Sequence, residues 1–236
     1  MRDIKKQNSI IFIDNIFRYV QAGNEISSSL GKIPSAVGYQ GTLQSELSEV
    51  QERIKSNENA SITSLQSVFI PADDITDPAT VAIFNHIDGS IVLDRNIAAE
   101  GIFPSISINE SHSSNVSIDK IGKKHYESIK KVKYIFNKAE TLIDIISIMG
   151  IDELSVFDKE IVIIYRQLRN YFSQNFFVAE NYTNKAGHFA ILDKTINEVN
   201  IILSKEFINL DSNNFLYISD LESLNNFNEE EKIKKN

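Results

Sequence analysis

A run of four large apolar residues that ends in an acid, IIFID at 10–14, most constrains what this chain can fold into. Continuous apolar runs of this length predict a strand buried on both faces, which is typical of parallel sheets covered by helices. The chain has 236 residues, of which 42% are apolar, so it is long enough to enclose such a sheet. The run therefore predicts an α/β fold near the start of the chain.

Asp14, at the end of this run, is a candidate metal-binding residue. P-loop ATPases use an acid in this position, the Walker B acid, to hold Mg²⁺ on nucleotide phosphates. The phosphate-binding motif that accompanies it, G-x-x-x-x-G-K-[ST], does not occur in the sequence. Apolar strands also end in aspartate in proteins that bind no nucleotide. An ordinary strand end is therefore the alternative interpretation of Asp14.

Other patterns in the first half also indicate mixed α/β structure. Residues 42–55 carry apolar side chains at spacings of three and four, which predicts an amphipathic helix. Residues 61–71 and 89–93 contain apolar runs that predict two more strands. A sheet of this kind has faces and edges that other elements must cover.

The second half is predicted to be helical. Apolar residues at helical spacing extend over 126–149 and stop at Gly150, a residue suited to end a helix. Ser155 and Asp158 have the spacing of a helix N-terminal cap and precede another apolar stripe. We therefore expect a boundary between two domains, with an α/β part over 1–121 and a helical part over 122–236. The polar tail at 225–236 is expected to be frayed.

Composition disfavours or excludes several classes of protein. Twenty-four Lys and Arg residues against thirty-two Asp and Glu residues give a net charge of −8, which disfavours a nucleic-acid binder. The absence of cysteine rules out disulfides and thiolate metal sites. Residues 142–151 are mostly apolar, but Asp144 interrupts them and the stretch is too short to cross a bilayer. We expect neither nucleic-acid binding nor direct insertion into a membrane.

With these segments in place, the chain resembles the catalytic β subunit of rotary F-type ATP synthases. The resemblance extends from residue 1 to at least residue 217 without an obvious gap. It rests on several long strings: FIDNIFR at 12–18, IPSAVGYQ at 33–40, QERI at 51–54, PADDITDP at 71–78, DELS at 152–155 and VAE at 178–180. The family implies the C-terminal part of a RecA-like P-loop nucleotide-binding domain, followed by an α-helical bundle domain.

The resemblance implies a nucleotide site that takes ATP or ADP with Mg²⁺. Asp14 matches the acid that reaches Mg²⁺ through water, and Arg18 matches the basic residue that helps bind the terminal phosphate. Phe69 stands where the family has a tyrosine near the phosphates and the metal. Four residues match the adenine pocket of the family: Phe103, Phe176, Ala179 and Tyr182.

The resemblance also implies contacts with a rotor. Six residues match elements that touch the central shaft: Asp74, Thr76, Asp77, Asp152, Glu153 and Asp158. In the acidic lever that begins at Asp152, Val156 and Phe157 replace two acids of the family. The implied partners are the α subunits and the γ subunit of the shaft. A subunit of this kind lies in the cytoplasm, peripheral to the membrane.

The departures from the family define the alternatives. The family's P-loop, its catalytic glutamate and its N-terminal β-barrel lie upstream of the matched region and have no counterpart in this sequence. We therefore expect weak or absent nucleotide binding and no turnover from the chain alone. The chain is then a portion of a β subunit, a half that acts with a separate chain carrying the P-loop, or a non-catalytic interaction module. A parallel sheet without the upstream strands has an open edge and an apolar face, so we expect the isolated chain to aggregate or to need a partner that covers this surface.

Overall fold

The computed structural model describes residues 1–35 and 37–224. The chain packs as two compact units, Met1–Asp88 and a second unit that begins at Gly89. The boundary expected between residues 121 and 122 concerns the start of the helical domain and stays a prediction. The tail at 225–236, predicted to be frayed, lies outside the described residues.

The first unit contains a parallel pair of strands and several short helices. Strands β1 (Ser9–Asp14) and β2 (Ile62–Ser67) are parallel, in a register that runs from Ser9 opposite Ile62 to Asp14 opposite Ser67. Both strands were expected from their apolar runs, whereas the helix at Ile16–Ser29 was not. The predicted helix at 42–55 is shorter than expected, because a 3₁₀ turn replaces its last residues. The elements in chain order are α1 (Arg2–Lys5), β1 (Ser9–Asp14), α2 (Ile16–Ser29), α3 (Leu43–Gln51), β2 (Ile62–Ser67) and α4 (Pro78–Phe84).

The core of the first unit lies among its helices. Phe17 and Val20 of α2 are buried with Leu47 of α3 and Ile83 of α4, and Ile13 of β1 packs partly against them. Their burial stabilises each helix by roughly 1.5–3 kcal/mol for each large side chain removed from water. The helices therefore cover the side of the sheet to which Ile13 points.

The opposite side of β1 is exposed, so the prediction of a strand buried on both faces is wrong for the described chain. Ile10 is 66% exposed and Phe12 is 73% exposed, and Leu65, opposite Phe12 on β2, is 59% exposed. Among the described residues, β1 pairs with β2 alone. The apolar composition of the run correctly predicted a strand. Burial of both faces also requires elements that pack on each face, and no described residue covers this one. The expected open edge and apolar face are therefore present.

The second unit contains an antiparallel strand pair and the helical domain. Strand β3 has the predicted bounds, and it pairs with the unpredicted strand β4 with a register irregularity between Ser90 and Val92. The elements in chain order are β3 (Gly89–Leu93), α5 (Arg95–Ala99), β4 (Ile106–Ser113), α6 (Ile118–Ile121), α7 (Lys123–Met149), α8 (Val156–Tyr171), α9 (Glu180–Thr183) and α10 (Leu192–Leu203). The fold is thus mixed α/β with a helical C-terminal region, as predicted.

The helical region encloses a continuous apolar core. Phe136 of α7, Leu168 of α8 and Ile202 of α10 are buried there, together with Phe215. Helix α7 ends at the predicted Gly150, whose φ of 87° is a backbone conformation that favours glycine. No helix among the described residues is long and apolar enough to cross a membrane.

Candidate functional site

The carboxyl end of β1 is tied to the carboxyl end of β2 by side-chain hydrogen bonds. Asp14 is exposed, and its Oδ1 accepts a hydrogen bond of 2.8 Å from the Ser67 hydroxyl on the paired strand. The next residue, Asn15, caps α2 by accepting from the Phe17 amide at 2.9 Å, and the same Oδ1 accepts from the Phe69 amide at 3.3 Å. The Asp14–Asn15 peptide bond is cis. Asp14 is therefore held between two strand ends and the start of a helix.

Arg18 and Phe69 lie at the same edge of the sheet as Asp14. Arg18 is in the first turn of α2, and its exposed guanidinium forms no hydrogen bond or ion pair with another described residue. Phe69 follows β2, and its ring centroid lies 5.8 Å from that of Phe17. In open α/β sheets, ligands bind at the carboxyl ends of the strands. The structure therefore brings together the three residues predicted for the phosphate side.

The side chains around Asp14 suit a metal ion that takes most of its ligands from water and from a bound nucleotide. Among residues 1–35 and 37–224, no group of three His, Cys, Asp or Glu side chains could enclose a metal ion. One carboxylate with a neighbouring hydroxyl supplies the oxygen ligands that Mg²⁺ prefers, and Mg²⁺ usually keeps several waters and takes other ligands from phosphates. The arrangement suits the predicted contact through water, with nucleotide phosphates completing the coordination.

The residues predicted for the adenine pocket lie in the second unit. Phe103, in the loop after α5, is partly exposed, and its carbonyl accepts a hydrogen bond of 2.8 Å from the Gln174 amide. Gln174 is two residues before Phe176, which is half-buried, and Ala179 follows in a 3₁₀ turn. Tyr182, on α9, is 92% exposed. The hydrogen bond places the segments of Phe103 and Phe176 side by side, while the Tyr182 ring projects into solvent.

The loop after α9 packs on the segment that follows Phe176. The Gly187 amide donates a hydrogen bond of 2.7 Å to Glu180 Oε1, which closes the loop. A Cβ atom at Gly187 would lie 2.5 Å from the Phe177 backbone nitrogen, a distance that no side chain tolerates. Only glycine fits there, so Phe177 and the neighbouring Phe176 rest against this loop.

Tyr217 also belongs to this group, and sequence reasoning missed it. Its hydroxyl donates a hydrogen bond of 2.5 Å to the Gly101 carbonyl, and its amide donates one of 2.8 Å to the Ser173 hydroxyl. Burial raises the pKa of Tyr217, and a hydrogen bond from the Phe103 backbone opposes that shift. Gly101 is 116 positions away in the chain. No local pattern signals a contact of that range.

The loop predicted to catch the rotor has two residues that face solvent and one that supports the fold. Asp74 and Thr76 are exposed, and Asp74 Oδ1 accepts from the Thr76 amide at 2.8 Å and its hydroxyl at 2.5 Å. The Thr76 hydroxyl is the main reason why the pKa of Asp74 is lowered. Asp77 instead caps α4 and accepts from the Tyr39 hydroxyl at 2.9 Å. Burial and this carboxylate raise the pKa of Tyr39 to about 12.

The predicted lever contains two exposed acids and one acid that forms an ion pair. Asp152 and Glu153 are exposed in a 3₁₀ turn between α7 and α8. Asp158 forms an ion pair of 2.6 Å with Lys138 and accepts a hydrogen bond from the Ser155 hydroxyl. Ser155 caps α8 as predicted, because its hydroxyl accepts from the Asp158 amide. Asp158 is therefore bound within the helical hairpin, whereas the nearby apolar side chains Val156 (77%) and Phe157 (54%) are exposed.

A cavity of about 1000 Å³ lies within the second unit, between β4, α5 and the long helices. It is lined mostly by apolar side chains, among them Ile108, Phe136 and Phe172. None of the residues predicted for nucleotide or rotor binding is in its wall. The candidate sites therefore lie at strand ends, loops and a helix connection, outside this cavity.

These features define a class of protein, a mixed α/β domain followed by a helical domain. The family model described as ATP synthase alpha/beta family, nucleotide-binding domain, matches residues 1–113. The model described as C-terminal domain of V and A type ATP synthase matches residues 115–212. The chain thus belongs to the ATP synthase alpha/beta family.

Similar proteins agree with this assignment. ATP synthase subunit beta 2 of Mycoplasmopsis pulmonis is 46% identical over 223 residues, which are 94% of this chain and 48% of that protein. The solved structure of the ATP synthase subunit NeqB from Nanoarcheaum equitans superposes with a TM-score of 0.69 at 25% identity. That match covers 83% of this chain and 47% of NeqB. The chain therefore spans about half the length of these relatives, and it is homologous to the C-terminal half of an ATP synthase β subunit.

Proposed function

We propose that this chain contributes part of a β-type nucleotide site to a rotary ATPase. The observation that carries the proposal is the meeting of Asp14, Arg18 and Phe69 where β1 and β2 end, in a chain homologous to a β subunit. Phosphoryl transfer depends mainly on positioning and electrostatic stabilisation, so residues fixed at strand ends suit that task.

Each residue at the strand ends has a role that follows from its surroundings. Asp14, oriented by the Ser67 hydroxyl, holds a water of the Mg²⁺ ion that accompanies ATP or ADP. When bound, the ion neutralises phosphate charge. The exposed guanidinium of Arg18 binds the terminal phosphate, because two parallel N–H groups match phosphate oxygens. Phe69 forms the apolar wall beside them.

The residues of the second unit bind the base in this proposal. Phe103 and Phe176 provide aromatic surface, Ala179 leaves room beside them, and Tyr182 adds a ring from α9. Stacking of one base on an aromatic ring contributes about 1–3 kcal/mol. An adenine site without phosphate contacts therefore binds weakly, at around millimolar concentration.

The proposed partners are the α subunits and the central-shaft γ subunit of a rotary ATPase that is peripheral to the membrane on its cytoplasmic side. Asp74, Thr76, Asp152 and Glu153 are exposed and suit a contact with a basic shaft. Asp77 and Asp158 act differently, because each is bound by a side chain of another element in its own unit, Asp77 by Tyr39 and Asp158 by Lys138. The exposed Val156 and Phe157 add an apolar component to the contact at the lever.

A segment that carries the P-loop is the proposed neighbour of β1. Ile10, Phe12 and Leu65 form the apolar face that favours such a neighbour, since parallel sheets are normally buried on both faces. A separate chain that supplies this segment would make a split site. If the occupant of the face carries no P-loop, the chain is an interaction module, which is the second candidate function.

Reconstitution with the first half of Mycoplasmopsis pulmonis ATP synthase subunit beta 2 tests both functions. The two purified chains are mixed, and Mg²⁺-dependent ATP hydrolysis is measured with and without purified α subunits. We expect hydrolysis that falls on the order of 100-fold in Asp14→Asn, because an electrostatic contact to the phosphates is lost. Asp144→Asn, which changes an exposed acid on α7, is the matched control. Equal rates for Asp14→Asn and the wild-type chain contradict the nucleotide role. A stable complex without hydrolysis favours the interaction module.

A further inference from the structure

Tyr217 is the point at which the segments of the proposed adenine pocket meet. Its hydroxyl contacts Gly101, two residues before Phe103, and its amide contacts Ser173, three residues before Phe176. The Lys185 ammonium lies 5.6 Å above the Tyr217 ring, and Lys185 is three residues after Tyr182. Tyr217 therefore touches all three segments that carry the aromatic residues of the pocket, two through its side chain and one through its backbone amide.

The hydrogen bonds around Tyr217 form a closed circuit. The Phe103 and Gln174 segments are joined directly, through the Gln174 amide and the Phe103 carbonyl at 2.8 Å. They are joined a second time through Tyr217, which bonds Gly101 on one segment and Ser173 on the other. Two independent connections fix the separation of two segments more firmly than one. The circuit therefore holds the segment of Phe103 in place against the segment that leads to Phe176.

The backbone at Tyr217 adopts a conformation that its surroundings maintain. Its φ of 56° lies in the left-handed region, which is uncommon for an aromatic residue. Such conformations persist where neighbouring contacts hold them, and they concentrate at ligand-binding positions. Here the neighbouring contacts are the Gly101 and Ser173 hydrogen bonds and the Lys185 ammonium.

We propose that Tyr217 is a positioning residue of the adenine pocket, which sets the spacing of the Phe103 and Phe176 walls without touching the base. This inference rests on the proposed binding of a nucleotide by those walls. An adenine ring stacks favourably only within a narrow range of distances and tilts. A small increase in the spacing of the walls therefore weakens binding of the base and leaves phosphate contacts unchanged.

Tyr217→Phe in the full chain tests the proposal, because it removes only the hydroxyl, which binds the backbone at Gly101 and Phe103. ATP and inorganic tripolyphosphate are titrated separately, and binding is followed by NMR. We expect ATP to bind about three- to tenfold more weakly, the effect of one hydrogen bond, with tripolyphosphate unchanged. Hydrogen exchange of the Gln174 amide is expected to accelerate. Tyr171→Phe is the matched control, because it removes a tyrosine hydroxyl that binds Glu198 in the same unit.

The outcomes separate this proposal from the function on which it rests. If Phe103→Ala weakens ATP binding while Tyr217→Phe leaves both ATP binding and Gln174 exchange unchanged, the role of Tyr217 is refuted and the pocket stands. If the wild-type chain binds ATP no better than Phe103→Ala does, the adenine pocket itself is refuted, and this role of Tyr217 with it. If Tyr217→Phe weakens ATP and tripolyphosphate equally, its effect is a general loss of structure, which also contradicts the proposal.

Discussion

In the second unit, Leu168, Ile202 and Phe215 are fully buried, whereas in the first unit Ile10 and Phe12 stand exposed on a strand. The difference lies in where each element finds its partners. A helix makes its hydrogen bonds within four residues and needs only packing from its neighbours. A parallel strand needs neighbours that are distant in the sequence on both edges and both faces. The helical region completes its core among described residues, and β1 does not.

The residues proposed to bind phosphate belong to the unit whose sheet is open. The residues proposed to bind the base belong to the unit that contains the helical core. Positioning of Asp14 depends on β1, so it is sensitive to whatever packs on that strand. Positioning of Phe103 depends on hydrogen bonds within the second unit, so it is expected to persist in the isolated chain.

The largest expected effect compares two leucines, one in each unit. Leu168→Ala empties a fully buried position of the helical core and should lower the free energy of unfolding by about 2–5 kcal/mol. Leu65→Ala removes the same atoms from an exposed position of β2 and should lower it by less than about 1 kcal/mol. Urea unfolding followed by circular dichroism measures both. Equal losses would show that Leu65 is buried in solution and that the first unit is covered.

The residues themselves explain which features the sequence could predict. The bounds of α7 and its end at Gly150 follow from helical spacing and a residue with unusual backbone freedom, both of which are local. Strand β3 was predicted from its composition, but its antiparallel partner β4 was not, because pairing depends on contacts across a loop. The exposure of Phe12 depends on which elements surround β1 and is invisible in the run that predicts the strand.

The residues of the candidate site could likewise be predicted from the sequence only where no tertiary contact was needed. The resemblance placed Asp14, Arg18 and Phe69 near the phosphates, and the structure brings them to one edge of a sheet. It did not distinguish the exposed Asp152 from Asp158, which Lys138 binds, because that distinction arises from packing between two helices. Tyr217 was also missed, since its role consists of tertiary hydrogen bonds.

A smaller effect is expected when the open face of β1 is made charged. If the isolated chain self-associates through this face, as we expect, Phe12→Lys should reduce the self-association by about tenfold, because an ammonium on an exposed strand opposes pairing with another chain. Sedimentation velocity over a range of concentrations measures the change. Tyr134→Lys is the matched control, because Tyr134 is also an exposed aromatic residue but lies on α7. Equal reductions in both variants would mean that any exposed aromatic residue promotes self-association. The open face of β1 would then not be special, which would contradict the contrast between the exposed strand and the helical core.

The smallest expected effect concerns the ion pair between Asp158 and Lys138, which joins α8 to α7 in the second unit. The hydrogen bond from Lys138 is the main reason why the pKa of Asp158 is lowered in the folded chain, and the Ser155 hydroxyl adds to it. A carboxyl whose folded pKa is lowered stabilises the fold above its unfolded pKa of about 3.9. That contribution is lost as the pH falls through the lower folded pKa.

Asp158→Asn should therefore lower the melting temperature by about 1–2 °C between pH 5 and 8, since ion pairs near the surface contribute little. The difference from the wild-type chain should begin to shrink below about pH 4 and should disappear once the pH has fallen below the lower folded pKa, where the wild-type carboxyl is neutral as well. Asp152→Asn is the control, because the Asp152 side chain is fully exposed and its nearest cation, Lys159, is 3.9 Å away. A constant difference down to pH 2 would contradict an electrostatic role and assign the effect to the geometry of the helix cap. A decrease in melting temperature several times larger would mean that this one ion pair supplies much of the stability of the helical hairpin. The two units would then differ less in stability than the burial of their side chains indicates.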